Sequence, residues 1–180
     1  MDKPTLDMLG RHIQSLRIAR GLSLSQLAAD AGIAKSNLSR LEQGNGNPTL
    51  DTIWRLSLQL QVPFGNLIAP VSALVGTLVG ERGVQVRLID QGKDNPPVDA
   101  YWMSCAPFTE RKAEAHAAGT VESITLISGQ LEVGIEGDSK TLTAGQSHSF
   151  SADQPHLYRT GESWATALLT IVYQQSGEGV

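Results

Sequence analysis

Near residue 84 the apolar residues of this 180-residue chain change their spacing, and that change constrains the fold more than any other feature. Before it, apolar side chains recur every three or four residues, the period of an amphipathic helix. From Val84 onward, Val84, Val86 and Leu88 alternate with Gln85, Arg87 and Ile89, the period of a half-buried strand. The pattern predicts a multidomain chain, α then β. The length suits two small domains.

In the first half, Leu9, Ile13, Leu16 and Arg20 lie at helical spacing over residues 7–20, with Ile18 nearby and Gly21 as a stop. Ser23 reads as the N-cap of a second helix carrying Leu24, Leu27, Ala28 and Ala31 and closed by Gly32. A third helix runs from about Lys35 to Gln43 and ends at Gly44. Pro48 and Thr49 open a fourth with Leu50, Ile53, Trp54, Leu56 and Leu60, and Pro63–Ile68 makes a short fifth. Two short helices joined around Gly32, inside a five-helix bundle, form a helix-turn-helix candidate. At ~100° per residue, Ala34, Leu38 and Leu41 make the buried stripe of the third helix. Ser36, Ser39 and Arg40 lie opposite, flanked by Lys35 and Asn37. Small polar, amide and basic groups suit a major groove, where they reach base edges. A solvated helix face has the same composition.

The run RGLSLSQLAADAGIAKSNLSRLEQGNGNPTLDTIWRLSLQLQVP resembles the Cro/CI-type (XRE-family) helix-turn-helix domain over about residues 6–68. Its R-G-L-S, L-A, A-G-I, S-x-L-E-x-G and N-P-T-L elements occur in the family's order. The resemblance implies a lambda-repressor-like bundle on double-stranded operator DNA, with Lys35, Ser36 and Arg40 at base-reading positions. Ser23 and the Asn45–Asn47 loop would touch phosphate, and Arg17 and Glu42 match an internal ion pair. Leu24 departs from the glutamine often found at its position, so that DNA contact is lost or becomes apolar.

In the second half, strand-like runs follow at 84–89, 100–106, 123–128, 130–136, 139–143, 147–151, 156–159 and 164–173. A Pro-rich loop spans 91–99, and Glu136-Gly137-Asp138 reads as a hairpin turn. Short strands with glycine turns predict a closed antiparallel β-sandwich or barrel. Residues 69–83 form a connector in which Leu74, Val75, Leu78 and Val79 can pack.

HAAGTVESITLISGQLEV resembles the first cupin motif and GQSHSFSADQPHLYRT the second, so residues 84–174 resemble a cupin, a jelly-roll-like barrel. Matching the family's metal ligands residue by residue, Glu114 takes the place of the first histidine, followed by His116, Glu122 and His156. Imidazoles and a carboxylate suit a divalent ion, zinc marginally first. The His116–Glu122 spacing is longer than usual, and Ser-Ala-Asp replaces the Pro-x-Gly turn before His156. The same residues also fit an inward polar cluster bonded to ligand or water. Tyr101, Trp102, Tyr158 and Arg159 are candidates for the pocket or its rim, although strand aromatics equally fill cores. His148 reads as an ordinary strand histidine, His12 as capping or facing solvent, and Cys105 as a buried small hydrophobe.

An XRE domain joined to one small cupin is an architecture of bacterial transcription regulators. The E-x5-S-G-Q-L, F-x-A-D and H-x-Y-R runs resemble sulfur-utilisation regulators, which implies an amino acid or sulfur compound as effector. The expected protein is a cytoplasmic, homodimeric regulator with no catalytic residues, sensing a small molecule through residues 84–174. A cupin metalloenzyme (dioxygenase or isomerase) with a DNA-binding appendage, and a metal-free module that only dimerises, are the alternatives. Charge is consistent with DNA contact by the first half. Residues 1–68 hold seven basic and five acidic side chains, whereas 69–180 hold seven and thirteen, for a net −4. The single cysteine excludes a disulfide framework and a Cys-rich zinc site. No apolar run is long enough to span a bilayer, and no secretory leader pattern opens the sequence.

Overall fold

The helical half consists of α1 (Lys3–Ala19), α2 (Leu24–Asp30), α3 (Lys35–Glu42), α4 (Leu50–Leu60) and α5 (Phe64–Ile68). The computed structural model describes residues 3–71, 78–79, 83–92 and 94–174. The chain divides into two units, Met1–Leu78 and Val79–Val180. Leu74 and Val75, expected to pack in the connector, lie outside the described residues, while Leu78–Val79 form strand β1.

Local chemistry explains where the helices start and stop. Ser23 closes a capping box: its hydroxyl oxygen accepts from Gln26 N at 3.2 Å, and Gln26 Oε1 accepts from Ser23 N at 2.9 Å. Thr49 caps α4 by accepting from Thr52 N at 3.2 Å. Helix α1 is already helical at Lys3, earlier than the apolar spacing from residue 7 predicts. Pro4 fits a first turn, where its missing N–H costs no intrahelical bond. The core of the unit is Leu9, Ile13, Leu27, Leu38, Ile53, Leu56, Leu60 and Leu67, all fully buried. Ala34 is a correction to the predicted buried stripe. It is exposed as the α3 N-cap, and Leu38 and Leu41 bury that face with Glu42. Gly10 lets α1 lie against the end of α3, because a Cβ there would sit 2.3 Å from Leu41 O and 2.8 Å from Glu42 O.

The second unit adds β2 (Val84–Gly92), β3 (Val98–Cys105), β4 (Glu110–Ala113), β5 (Val121–Ser128), β6 (Gln130–Ile135), β7 (Asp138–Thr143), β8 (Ser147–Ser151), β9 (His156–Arg159) and β10 (Ala165–Val172). One sheet has the order β1-β2-β3-β10-β5-β8 and the other β4-β9-β6-β7. The pairings from β2 to β8 in the first sheet and throughout the second are antiparallel. Register places Phe150, Glu122, Ile171 and Asp99 in one buried row across β8, β5, β10 and β3. Four residues further along, Leu126, Ala167 and Met103 align as an apolar row toward the other end. The interior is therefore polar at one end and greasy at the other. Gly129 joins β5 to β6 at φ +83°, and a Cβ there would lie 2.1 Å from Trp164 O. No other residue type fits that turn without moving the chain.

Candidate functional site

Two places collect the residues singled out above, one in each unit. On α3, Lys35, Ser36, Asn37 and Arg40 are exposed and Ser39 is half-buried. Leu38 and Leu41, on the other face, anchor the helix at 0% and 3% exposure. A depression of about 290 Å³ lies between α3 and the start of α4, and Asn37, Arg40, Asn47 and Thr49 are among its walls. Arg40 donates from Nη2 to Asn45 O at 3.3 Å, which ties this arginine to the loop after α3.

Asn45 is held from a second side by Lys3, which sequence spacing did not single out. Its ammonium donates to Asn45 Oδ1 at 3.1 Å, Gly44 O at 3.0 Å and Gln43 O at 3.3 Å. A lysine here satisfies carbonyls at the end of α3 and complements the helix dipole. Ser23 sits at the start of α2 with its oxygen engaged in the capping box, and Asn47 is exposed. Beneath this surface Arg17 and Glu42 form a buried bidentate pair, with Nε–Oε1 2.6 Å and Nη2–Oε2 2.8 Å. Arg17 Nη1 also donates to Leu22 O at 2.9 Å, so the pair ties α1 to α3 and to the turn before α2. His12 Nε2 lies 3.0 Å from Asn66 O and does local work between α1 and α5.

In the second unit, β5 carries Glu122 and β9 carries His156 and Tyr158 on buried positions, while His116 sits in the loop before β5. His116 Nε2 is 2.5 Å from Glu122 Oε1, and His156 Nε2 is 3.6 Å from the same oxygen. The two imidazoles meet edge to face with centroids 4.8 Å apart. Tyr158 OH donates to Glu122 Oε2, a bond that crosses from one sheet to the other. His156 Nδ1 is 2.9 Å from Gln154 O, but its Nε2 is buried without a hydrogen bond. One ligand atom from each of His116, Glu122 and His156 can be chosen so that all lie within 4.8 Å of one another.

Burial opposes ionisation of Glu122, but the hydrogen bond to His116 and the nearby charges of His116 and His156 outweigh it and hold the carboxyl well below its usual range. Burial lowers His116 despite Glu122. At His156 burial acts the same way, yet Glu122 outweighs it and the net shift is upward. An ionised carboxylate, a deprotonation-prone imidazole and an imidazole nitrogen with no hydrogen-bond partner form a donor set that suits a divalent cation.

Other candidates fall elsewhere. Glu114 is exposed and outside the cluster, because β4 points Arg111 and Ala113 inward and the alternate residues outward. The ligand set contracts to His116, Glu122 and His156. Tyr101 and Trp102 are neighbours on a strand and so face opposite ways: Tyr101 is 2% exposed and Trp102 38%. They do not share a pocket. Tyr101 OH donates to the buried Asp99 carboxylate at 2.8 Å, as does Tyr173 OH at 2.8 Å, an interior cluster that sequence reading missed. Of the three aromatics only Tyr158 reaches the histidine–glutamate cluster. His148 lies on β8 with its ring against Phe150 and outside the cluster. Cys105 is buried, and that burial pushes its thiol up to about 12, so it is an inert core residue.

A helical unit whose α3 exposes polar and basic side chains, followed by a cupin-like double sheet around a histidine–glutamate cluster, defines a class of transcriptional regulator. Residues 13–67 match the helix-turn-helix family HTH_3. The HTH-type transcriptional regulator SutR of Escherichia coli is 28% identical over 85% of this chain and 87% of that protein. The uncharacterized HTH-type transcriptional regulator y4dJ of Sinorhizobium fredii is 33% identical over 35% of this chain and 82% of that protein. An HTH_3 family regulator from Vibrio cholerae has the same fold, with TM-score 0.84 at 22% identity over 97% of this chain and 100% of that one. The chain belongs to the HTH_3 helix-turn-helix family and is a DNA-binding transcriptional regulator. Among the described residues, no helix is long and apolar enough to cross a membrane.

Proposed function

We propose that this regulator couples operator binding to occupancy of the His116–Glu122–His156 cluster by a divalent metal and a small effector. In this reading residues 6–68 bind DNA, 69–83 connect, and 84–174 form a jelly-roll-like effector barrel. Lys35, Ser36, Asn37, Ser39 and Arg40 face the major groove, and Ser23, Asn45 and Asn47 approach phosphates. A homodimer presents two such helices to a palindromic operator. Zinc is the first choice of metal, since two imidazoles and a carboxylate leave a position open for a ligand donor.

The observation that carries the reading is the buried His156 Nε2, which makes no hydrogen bond while Glu122 and His116 close on each other beside it. A buried polar atom left unpartnered calls for an ion, water or ligand. When bound, the metal supplies a positive centre for an oxygen, nitrogen or sulfur donor of the effector. Tyr158 holds Glu122 in place, and Gln154 O orients the His156 ring. An effector changes DNA affinity only through unequal affinity for the DNA-competent and DNA-incompetent states.

Elemental analysis and operator titration on the full-length protein test this together. One metal per chain is expected in the parent and far less in His156→Ala. Chelation is expected to shift operator affinity in the parent and leave the variant where it is. Equal metal content in parent and variant, or operator affinity indifferent to chelation, would overturn the coupling.

A further inference from the structure

The outward face of the larger sheet carries no charge across four adjacent strands. Alternation turns Asp99, Tyr101 and Met103 inward and therefore Trp102 outward, away from the histidine–glutamate cluster. Register sets Trp102, Leu168, Thr125 and Ser147 in one row across β3, β10, β5 and β8. The next row is Ala100, Thr170, Ser123 and Ser149, and Val98, Val172, Val121 and Ser151 follow. None of these twelve side chains is charged. Trp102 and Leu168, large and apolar, are paired with each other and both exposed. Around them hydroxyls pair across strands, Ser123 with Ser149 at 2.8 Å and Thr125 with Ser147 at 2.9 Å. The outward face of the smaller sheet is the opposite. There Glu110, Arg159 and Glu132 share a row, and Arg159 bridges the two carboxylates at 3.4 Å and 2.8 Å.

A two-fold dimer sets one patch against a copy of itself, so a charge near the axis meets its own sign. A face without charge avoids that repulsion. Hydroxyls suit self-docking further, because each both donates and accepts and so can bond to its own kind. Five strands at ~4.8 Å and about seven residues at ~3.3 Å outline about 500 Å², before the relief of the side chains is counted, against ~800 Å² per partner in a standard interface. Arg87, exposed on β2 opposite Trp102, begins the polar rim that such interfaces have. We propose that this face, centred on Trp102 and Leu168, docks a second copy of the chain and holds the homodimer. The proposal rests on the regulator being a homodimer and names the surface that forms it.

The light-scattering mass of the full-length protein, without DNA, tests it. The parent is expected as a dimer. Leu168→Glu and Leu168→Arg each set like charges across the axis, and each alone is expected to weaken self-association about a hundredfold. Mixed in equal amounts, the two are expected to return to a dimer, since opposite charges then face each other. Damage to the fold would not be rescued by mixing. Ser149→Arg, at an exposed position on β8, gives the same readout should Leu168 not tolerate a charge. Thr141→Lys, which adds a charge beside Glu132 on the smaller sheet, is expected to leave the dimer intact. A monomeric parent would remove the homodimer and this face with it. A dimeric parent whose variants on this face also stay dimeric, or folded variants that stay monomeric when mixed, would overturn the face while the homodimer stood on another surface.

Discussion

Glu42 in the first unit and Glu122 in the second are both buried carboxylates, and they differ in what surrounds them. At Glu42 the Arg17 fork takes both oxygens, and the remaining arm of the guanidinium goes to Leu22 O. At Glu122 both oxygens are taken as well, yet His156 Nε2 stays buried beside them without a hydrogen bond. Among the described residues, Thr109, Thr120 and His148 also carry such orphaned atoms, and all lie in the second unit. Folding penalises orphaned polar atoms, so a closed pair serves stability, whereas an open cluster leaves a polar atom that an ion, water or ligand could satisfy. The first unit offers its polar groups to a partner from outside, on an exposed helix. The second holds its polar groups inside.

The largest effect that can break this comparison comes from opening the closed pair. Arg17→Ala strands the Glu42 carboxylate among α1 and α3, and the expected loss is about 3–5 kcal/mol in thermal or urea unfolding of the helical unit. Replacing both partners, Arg17→Met with Glu42→Leu, is expected to cost much less, because no charge is left behind. A loss of the same size in the double variant would show that the pair contributes through its packing instead.

The open cluster should respond differently. Tyr158→Phe removes the donor to Glu122 Oε2 and keeps the ring, so stability changes little while metal affinity drops by about 10–100-fold. Competition with a chromogenic chelator reads that directly. Unchanged affinity would mean that Glu122 needs no support from the facing sheet.

Arg40→Ala, on the exposed face of α3, is expected to leave unfolding unaltered and to cost about 1–3 kcal/mol in operator binding, relaxing preference at one base pair. Arg40 and Arg17 belong to one unit and to one residue type, so the two alanine variants separate DNA contact from fold. A footprint identical to the parent's would remove Arg40 from the base-reading set.

The helices were legible because caps and breakers announce themselves: Ser23, Gly32, Gly44 and Thr49 stand at the boundaries they predict. The interior of the second unit was legible only where strands alternate cleanly. Strand β4, with the sequence ERKA, escaped because three of its four residues are charged. One of its two inward positions is filled by Arg111, and a buried arginine erases the apolar beat by which a strand is read. Glu114 was misplaced for the same reason: with β4 unseen, nothing indicated which way its neighbours point. Tyr101 and Trp102 needed only the period of two to be set apart. The association of Tyr158 with Glu122 could not be read, since it joins strands of different sheets. Motif spacing reports on one strand at a time, whereas the site is built across two.

The smallest expected effect sharpens the comparison most. Lys112 and Glu136 approach to 2.5 Å, as close as Arg17 and Glu42 at 2.6 Å, so distance alone would rank the pairs as equals. Their exposure separates them: 54% and 58% for the first pair, 12% and 4% for the second. Water already solvates both exposed ions, salt screens them, and two long side chains lose freedom in meeting. Lys112→Ala is therefore expected to leave the melting temperature of the second unit within experimental error, at low salt and at high. If it were instead to melt as far below the parent as Arg17→Ala does, burial would not be what divides the two pairs. The contrast between a closed core pair and an open binding cluster would then need a different physical basis.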